Sequence, residues 1–149
     1  MSKLEFLQPY FRDPHNIKLY ALNSGIIYDA NADDVYNNLY DDFMKNEVSR
    51  VEFLLSKNIP VLVYNGQDDL IVQSAGTMKW VDRLRYSKID DFKKSLFSAW
   101  KIRGKVVGSV KSAGLLELRI VNNAGHLVPM DVPEAALDLV TGFVEKYSK

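Results

Sequence analysis

Asp68 and Asp69 follow the apolar run Val61-Leu62-Val63-Tyr64 across the turn formers Asn65, Gly66 and Gln67. Further along, His126 follows Gly125, between the alternating run Leu115–Val121 and the pair Val128-Pro129. A carboxylate and an imidazole on two such turns can do acid–base work. The carboxylate accepts the Nδ1 proton, fixes the tautomer and steadies the imidazolium that forms. What such a pair lacks is a nucleophile, and a serine hydroxyl becomes one on a strained Gly-x-Ser-x-Gly elbow. Ser74 has Gly76 after it but Val72 before it, and Ser112 has Gly114 after it but Val110 before it. Ser24 and Ser109 each have only an adjacent glycine. No serine stands on an elbow ahead of the acid.

Spacing alone does not choose between Asp68 and Asp69, and an Asp in a turn is common in any fold. A lone His after Gly is equally ordinary. His15, beside Pro14, has no legible partner and is expected at the surface. Two distant histidines and no cysteine make a poor ligand set, so neither metal nor cofactor is expected.

The elements that must position these residues are readable from periodicity. Residues 1–30 are irregular, punctuated by Pro9, Pro14, Asn23 and Gly25. Residues 31–57 read as helix with a break, with Met44, Val48, Val51 and Leu55 on one stripe. Asn58 and Pro60 end it, and Val61–Tyr64 suits a parallel strand covered on both faces. Helices are expected over 74–84, with Met78, Trp80, Val81 and Leu84 inward, and over 91–100, with Phe92, Leu96 and Trp100 on one side. Strands follow over 105–111 and 115–121, joined by a turn at Ser112-Ala113-Gly114. In the second strand Glu117 and Arg119 alternate with Leu116, Leu118 and Ile120, which predicts one wet face. Asp131 and Glu134, with Pro133 between them, have the spacing of a capping box for a last helix. Its expected buried stripe is Ala136, Val140, Phe143 and Tyr147. A sheet with so few strands leaves an exposed edge, an association hazard, so the chain is expected to bury it against something else.

Tyr64-Asn65-Gly66-Gln67-Asp68-Asp69-Leu70-Ile71-Val72, with Gly76-Thr77 and Trp80, resembles the acid-bearing segment of serine carboxypeptidases. Ala124-Gly125-His126-Leu127-Val128-Pro129, followed by Asp131 and Pro133, resembles their histidine segment. Trp100 and Val107-Gly108-Ser109-Val110 fall where that family has a Trp and a Gly-containing strand. The opening Tyr-Asn-Gly-Gln is similar to the animal vitellogenic-like branch. The resemblance is strong over 48–147, weaker but continuous over 1–47, and corresponds to the last third of a family member.

The resemblance implies an α/β fold: the C-terminal portion of an α/β hydrolase, a partial sheet with flanking helices. Residues 1–149 then form a single partial domain, in which 31–149 carry the triad acid and base. The family motif selects Asp69 as the acid and His126 as the general base. The family's glycine-rich oxyanion loop and elbow glutamate, which helps bind the substrate carboxylate, have no counterpart in this sequence. The implied function is that of the C-terminal part of a serine-type carboxypeptidase, releasing C-terminal residues from peptides when complete and inactive alone. Its expected partners are a peptide substrate and a Ser-bearing N-terminal portion or chain, or a further copy of itself. The alternative is a non-catalytic binding or interaction module derived from the same fold. A stand-alone hydrolase using Ser74 or Ser109 is the weakest reading, because no oxyanion site accompanies either.

Composition bounds the rest. The chain has 149 residues, 47% of them hydrophobic, enough for a real core but not for two domains. Nineteen basic and nineteen acidic residues balance, which removes the electrostatic case for nucleic acid or an anionic membrane. No apolar run approaches a membrane span, and Glu5 and Arg12 interrupt any signal-peptide core. Absence of cysteine suits the cytosol or a fold needing no disulfide. The family works in secretory, vacuolar or lysosomal compartments, usually with disulfides. The simpler reconciliation is that the portion carrying those features is absent, so localisation stays open.

Overall fold

The structure is a computed structural model that describes residues 13–15, 33–43 and 45–148. The chain divides into two compact units, Met1–Lys45 and Asn46–Lys149. In the first, α1 (Asp33–Leu39) runs into a 3-10 turn (Tyr40–Asp42), and the rings of Tyr36 and Tyr40 meet edge to face at 6.1 Å. Most of the segment expected to be irregular over 1–30 lies outside the described residues, as do Ser24 and Met44.

The second unit opens with a turn in which the Asn46 side chain accepts the Val48 N–H at 3.0 Å, just ahead of α2 (Val48–Ser56). Asn58, at φ +57°, turns the chain out of that helix, a left-handed conformation that Asn tolerates. There follow β1 (Val61–Gly66), α3 (Ser74–Val81), α4 (Ile89–Lys94), β2 (Ser98–Ile102), β3 (Lys105–Ala113) and β4 (Leu116–Val121). A single helical turn, α5 (Val128–Asp131), leads into the long α6 (Pro133–Tyr147).

The four strands form one sheet in the order β1-β4-β3-β2. β1 runs parallel to β4, and the other pairings are antiparallel. Leu55, Val81, Leu84 and Phe92 bring α2, α3 and α4 onto the sheet face that carries Leu116 and Leu118. Trp100, Val121, Ala124, Val128, Ala135 and Leu139 build a second cluster, which joins α5 and α6 to the sheet. Each fully buried Leu or Phe contributes about 2 kcal/mol, so these two clusters, rather than helix propensity, hold the layers. Val61 and Val63 pack on the first cluster and Leu62 on the second, so β1 is sandwiched as its apolar run predicts. The parallel register sets Gly66 opposite Val121. The acid-bearing loop after β1 and the histidine loop after β4 therefore leave the sheet at the same edge.

Several expectations need correction. The helix expected over 91–100 stops at Lys94, with Ser95 already extended. Trp100 lies on β2 opposite Gly108, and Leu96 is 88% exposed. The 92/96/100 spacing was fortuitous, while the alternation of Trp100 and Ile102 was a strand signal too short to stand out. Gly108 makes that packing possible: a Cβ there would run into the Ile120 carbonyl and the Trp100 ring. The turn after β3 falls at Gly114-Leu115, one to two residues later than expected. Of the expected α6 stripe, Ala136, Phe143 and Tyr147 are half-buried but Val140 is exposed, and Ala135 and Leu139 are the fully buried positions. The capping box does not form. Asp131 closes α5 and turns its carboxylate to the Gly125 N–H, and Val132 takes the N-cap position of α6 without a side-chain bond.

The face of β4 expected to be wet is dry. Glu117 is 2% exposed, and its two oxygens accept from Arg119 Nε at 2.7 Å and Lys146 Nζ at 2.9 Å. Arg119 in turn lies 4.8 Å from the Trp100 ring, whose indole N–H donates to Asp138 at 2.8 Å. The charges on β4 are thus neutralised by each other and by α6. Burial pushes the Glu117 carboxyl up, but the bonds from Lys146 and Arg119 outweigh it and leave it below its ordinary 4.5. Burial likewise pushes Lys146 down, and the bond from Glu117 outweighs that and holds it above 10.5.

The Glu117 contribution is complete above the ordinary carboxylate range and is lost as pH falls through its folded value. The Lys146 contribution is complete below the ordinary lysine value and is lost as pH rises through its folded value. Glu117→Gln is expected to cost about 2–4 kcal/mol at neutral pH, because it strands Arg119 in a poorly hydrated place. Urea unfolding between about pH 2 and 6 checks this; an acid dependence as steep in Glu117→Gln as in the wild type would count against it.

Candidate active site

The acid loop is shaped by its own carboxylate. Asp69 Oδ1 accepts the N–H groups of Ile71 and Val72, each at 2.9 Å, so the side chain folds the backbone ahead of it into a tight turn. That leaves Oδ2 free to point elsewhere. It lies 3.0 Å from His126 Nδ1. Asp69 is 7% exposed, whereas its neighbour Asp68 is at the surface. The Val72 N–H bond, then the His126 bond and the Ile71 N–H, outweigh the penalty of burial and hold the Asp69 carboxyl below its ordinary value.

The histidine loop is fastened to the acid loop by backbone. Gln67 N donates to Val121 O at 2.8 Å and Asp68 N to Ala124 O at 2.9 Å. Asn123, at φ +56°, turns the loop, and Asp131 Oδ2 receives the Gly125 N–H at 2.8 Å. His126 is thus held on both sides, by β4 before it and by α5 after it. Its side chain remains 47% exposed while its Nδ1 is engaged, so the rest of the ring meets solvent. A buried carboxylate, an oriented imidazole and an accessible ring edge can carry a proton between a hydroxyl and a leaving group.

The other residues singled out by sequence stand apart from this pair. His15 is exposed, with its own N–H on Asp13 at 2.8 Å. Ser74 opens α3 and donates its hydroxyl to the Gly66 carbonyl at 2.8 Å, which occupies the proton a base would have to remove. Ser109 lies within β3, paired to Ala99 and Ile120. A hollow of about 580 Å³, lined by Arg103, Lys105 and the start of α6, includes neither Asp69 nor His126. Two structural features near the pair were not legible from spacing: the burial of Asn65 and Thr77, and the Asp131 bond to the histidine loop. A polar residue inside an apolar strand, as Asn65 is, was the available signal for the first.

The family model for serine carboxypeptidase matches residues 3–146. The chain belongs to the serine carboxypeptidase family. It is 38% identical to serine carboxypeptidase 3 of Triticum aestivum over 111 residues, which is 74% of this chain and 22% of that protein. It is 33% identical to carboxypeptidase Y of Candida albicans over 144 residues, 96% of this chain and 27% of the relative. Its fold matches the crystal structure of Kex1Δp, a prohormone-processing carboxypeptidase of Saccharomyces cerevisiae, with a TM-score of 0.78 at 24% identity. That match covers 96% of this chain and 32% of the larger one. The mixed sheet with helices on its two faces is therefore a portion of an α/β-hydrolase fold, and the chain spans about a quarter of the length of the relatives it matches.

Proposed function

We propose that this chain supplies the acid and base of a serine carboxypeptidase, and that the nucleophilic serine comes from a portion outside it. The supporting observation is the 3.0 Å pair of Asp69 Oδ2 and His126 Nδ1, set on two loops at the carboxyl edge of parallel strands. In this reading His126 Nε2 removes the serine proton as the hydroxyl attacks the scissile carbonyl, then returns it to the departing amine. Water, deprotonated by the same nitrogen, releases the acyl group. Asp69 stays ionised throughout and holds the imidazolium. The substrate is a peptide whose C-terminal residue is removed.

The same reading gives the chain a partner. Among the described residues β1 has a strand neighbour on one side only. Beside it an apolar hollow of about 370 Å³ is lined by Tyr64, Pro129, Leu137 and Val140, and Leu137, Val140 and Val144 are exposed along α6. The serine-bearing portion covers this edge and hollow. Alone, the chain is expected neither to react with a fluorophosphonate probe nor to hydrolyse a blocked dipeptide. Without nucleophile and oxyanion donors the loss is about a million-fold and more. Mixing with a serine-bearing portion should restore both signals. Probe labelling of the chain by itself would place a nucleophile within it and overturn the proposal.

A further inference from the structure

Three of the four buried polar side chains among the described residues, Asn65, Asp69 and Thr77, stand around one turn. Asn65 is the penultimate residue of β1, and Thr77 lies in α3 at 4% exposure. Asn65 Nδ2 donates to the Val72 carbonyl at 2.7 Å, with longer contacts to the Gly66 carbonyl at 3.2 Å and to Ser74 Oγ at 3.3 Å. Asn65 Oδ1 accepts the Thr77 hydroxyl at 2.9 Å. Neither side chain is bonded to Asp69 or His126.

The chain of bonds nevertheless ends on the acid. Val72 is gripped at both ends: Asn65 holds its carbonyl, and its N–H holds Asp69 Oδ1. The amide can stand only one way round. Carbonyls of Val72 and Gly66 accept and never donate, so the amide nitrogen must face them and the amide oxygen must face Thr77. The Thr77 hydroxyl then has to donate. With its proton on Asn65, a buried hydroxyl fixes the amide, the amide fixes Val72, and Val72 fixes which carboxylate oxygen is left for the imidazole.

We propose that Asn65 and Thr77 are positioning residues for the acid–base pair, acting through Val72 to keep Asp69 Oδ2 aimed at His126 Nδ1. The inference rests on reading Asp69 and His126 as acid and base, but its readouts need no turnover. A reconstituted assembly that stayed inert would sink that reading and leave the ring and carboxyl signals to judge this one.

The test uses the 149-residue chain, with the variants Thr77→Val, which keeps the shape and deletes the hydroxyl, and Thr77→Ser, which keeps the hydroxyl. The ¹⁵N signals of the His126 ring report which nitrogen carries the proton, and the Asp69 carboxyl ¹³C signal reports its titration. In Thr77→Val the Nδ1–H form is expected to lose population, and the Asp69 titration to move up toward the ordinary carboxylate range. In Thr77→Ser both should return to their wild-type positions. A purely structural role for Thr77 would lower stability in Thr77→Val and move neither signal, which would overturn the proposal. Where Thr77→Val does not fold, Thr77→Ala serves in its place. Unfolding of all three variants would assign the pair to stability alone and equally overturn it.

Discussion

With a serine-bearing portion supplied, His126→Ala is expected to lower kcat by about a million-fold and Asp69→Asn by about ten-thousand-fold. The difference follows from what each group does. In the proposed reading His126 carries the proton itself, and nothing among its described neighbours replaces it. In that reading Asp69 only holds and steadies the ring, so its loss would spare the nucleophile, the oxyanion donors and substrate binding.

The structure makes the Asp69→Asn result specific. Position 69 must accept two backbone N–H groups, from Ile71 and Val72, and an Asn meets that demand only with its oxygen there. Its amide nitrogen is then turned to His126 Nδ1, where it donates. Nδ1 must lose its proton to accept, the ring takes the Nε2–H tautomer, and the nitrogen that should receive the serine proton is already occupied. Asp68→Asn is the control. That side chain is exposed, and the change should leave kcat within a few-fold of wild type. Steady-state hydrolysis of a blocked dipeptide by the three assemblies decides the matter. An Asp68→Asn loss as large as that of Asp69→Asn would reverse the assignment.

The turns that carry Asp69 and His126 were legible because each follows a strand-like run and holds turn formers. The choice of Asp69 over Asp68 came from the family motif and not from spacing. The sandwiched β1 was legible too, since Val61–Tyr64 is apolar throughout. What the pattern missed were the consequences of layers meeting. Glu117 and Arg119 look like a solvated strand face until α6 brings Lys146 over them, and nothing in Leu116–Val121 announces a cation on a helix so far along the chain. Trp100 fitted a helical spacing with Phe92, and only its pairing with Gly108 shows the strand. Asp131 had the spacing of a helix cap and instead serves the loop before it, a choice made by where α5 places the carboxylate. Local strands and turns were readable, and tertiary partners were not.

Gly66→Ala is expected to destabilise the chain by about 3 kcal/mol or more and to lower Tm by about 10 °C. The reason is space rather than backbone conformation. A Cβ at position 66 would collide with the carbonyls of Gly125 and Ala124, the two residues before His126. Collisions with a side chain are relieved by a change of rotamer, but here the obstacle is backbone, and that backbone is fixed. Gln67 and Asp68 donate into the histidine loop on one side, and Asp131 holds Gly125 on the other. The fold can admit the methyl only by breaking those bonds, and breaking them carries His126 away from Asp69. A folded Gly66→Ala chain should therefore lose the Nδ1–H signal of His126 as well as stability. Gly76→Ala is the counter-case: within α3 the added Cβ meets nothing within 4 Å, so helix propensity should stabilise that variant by up to about 1 kcal/mol. Thermal unfolding of the two variants side by side, with the imidazole signal recorded, distinguishes a glycine required by the site from one that is not. A Gly66→Ala chain as stable as Gly76→Ala, with its His126 proton in place, would show that the two loops do not need their close approach.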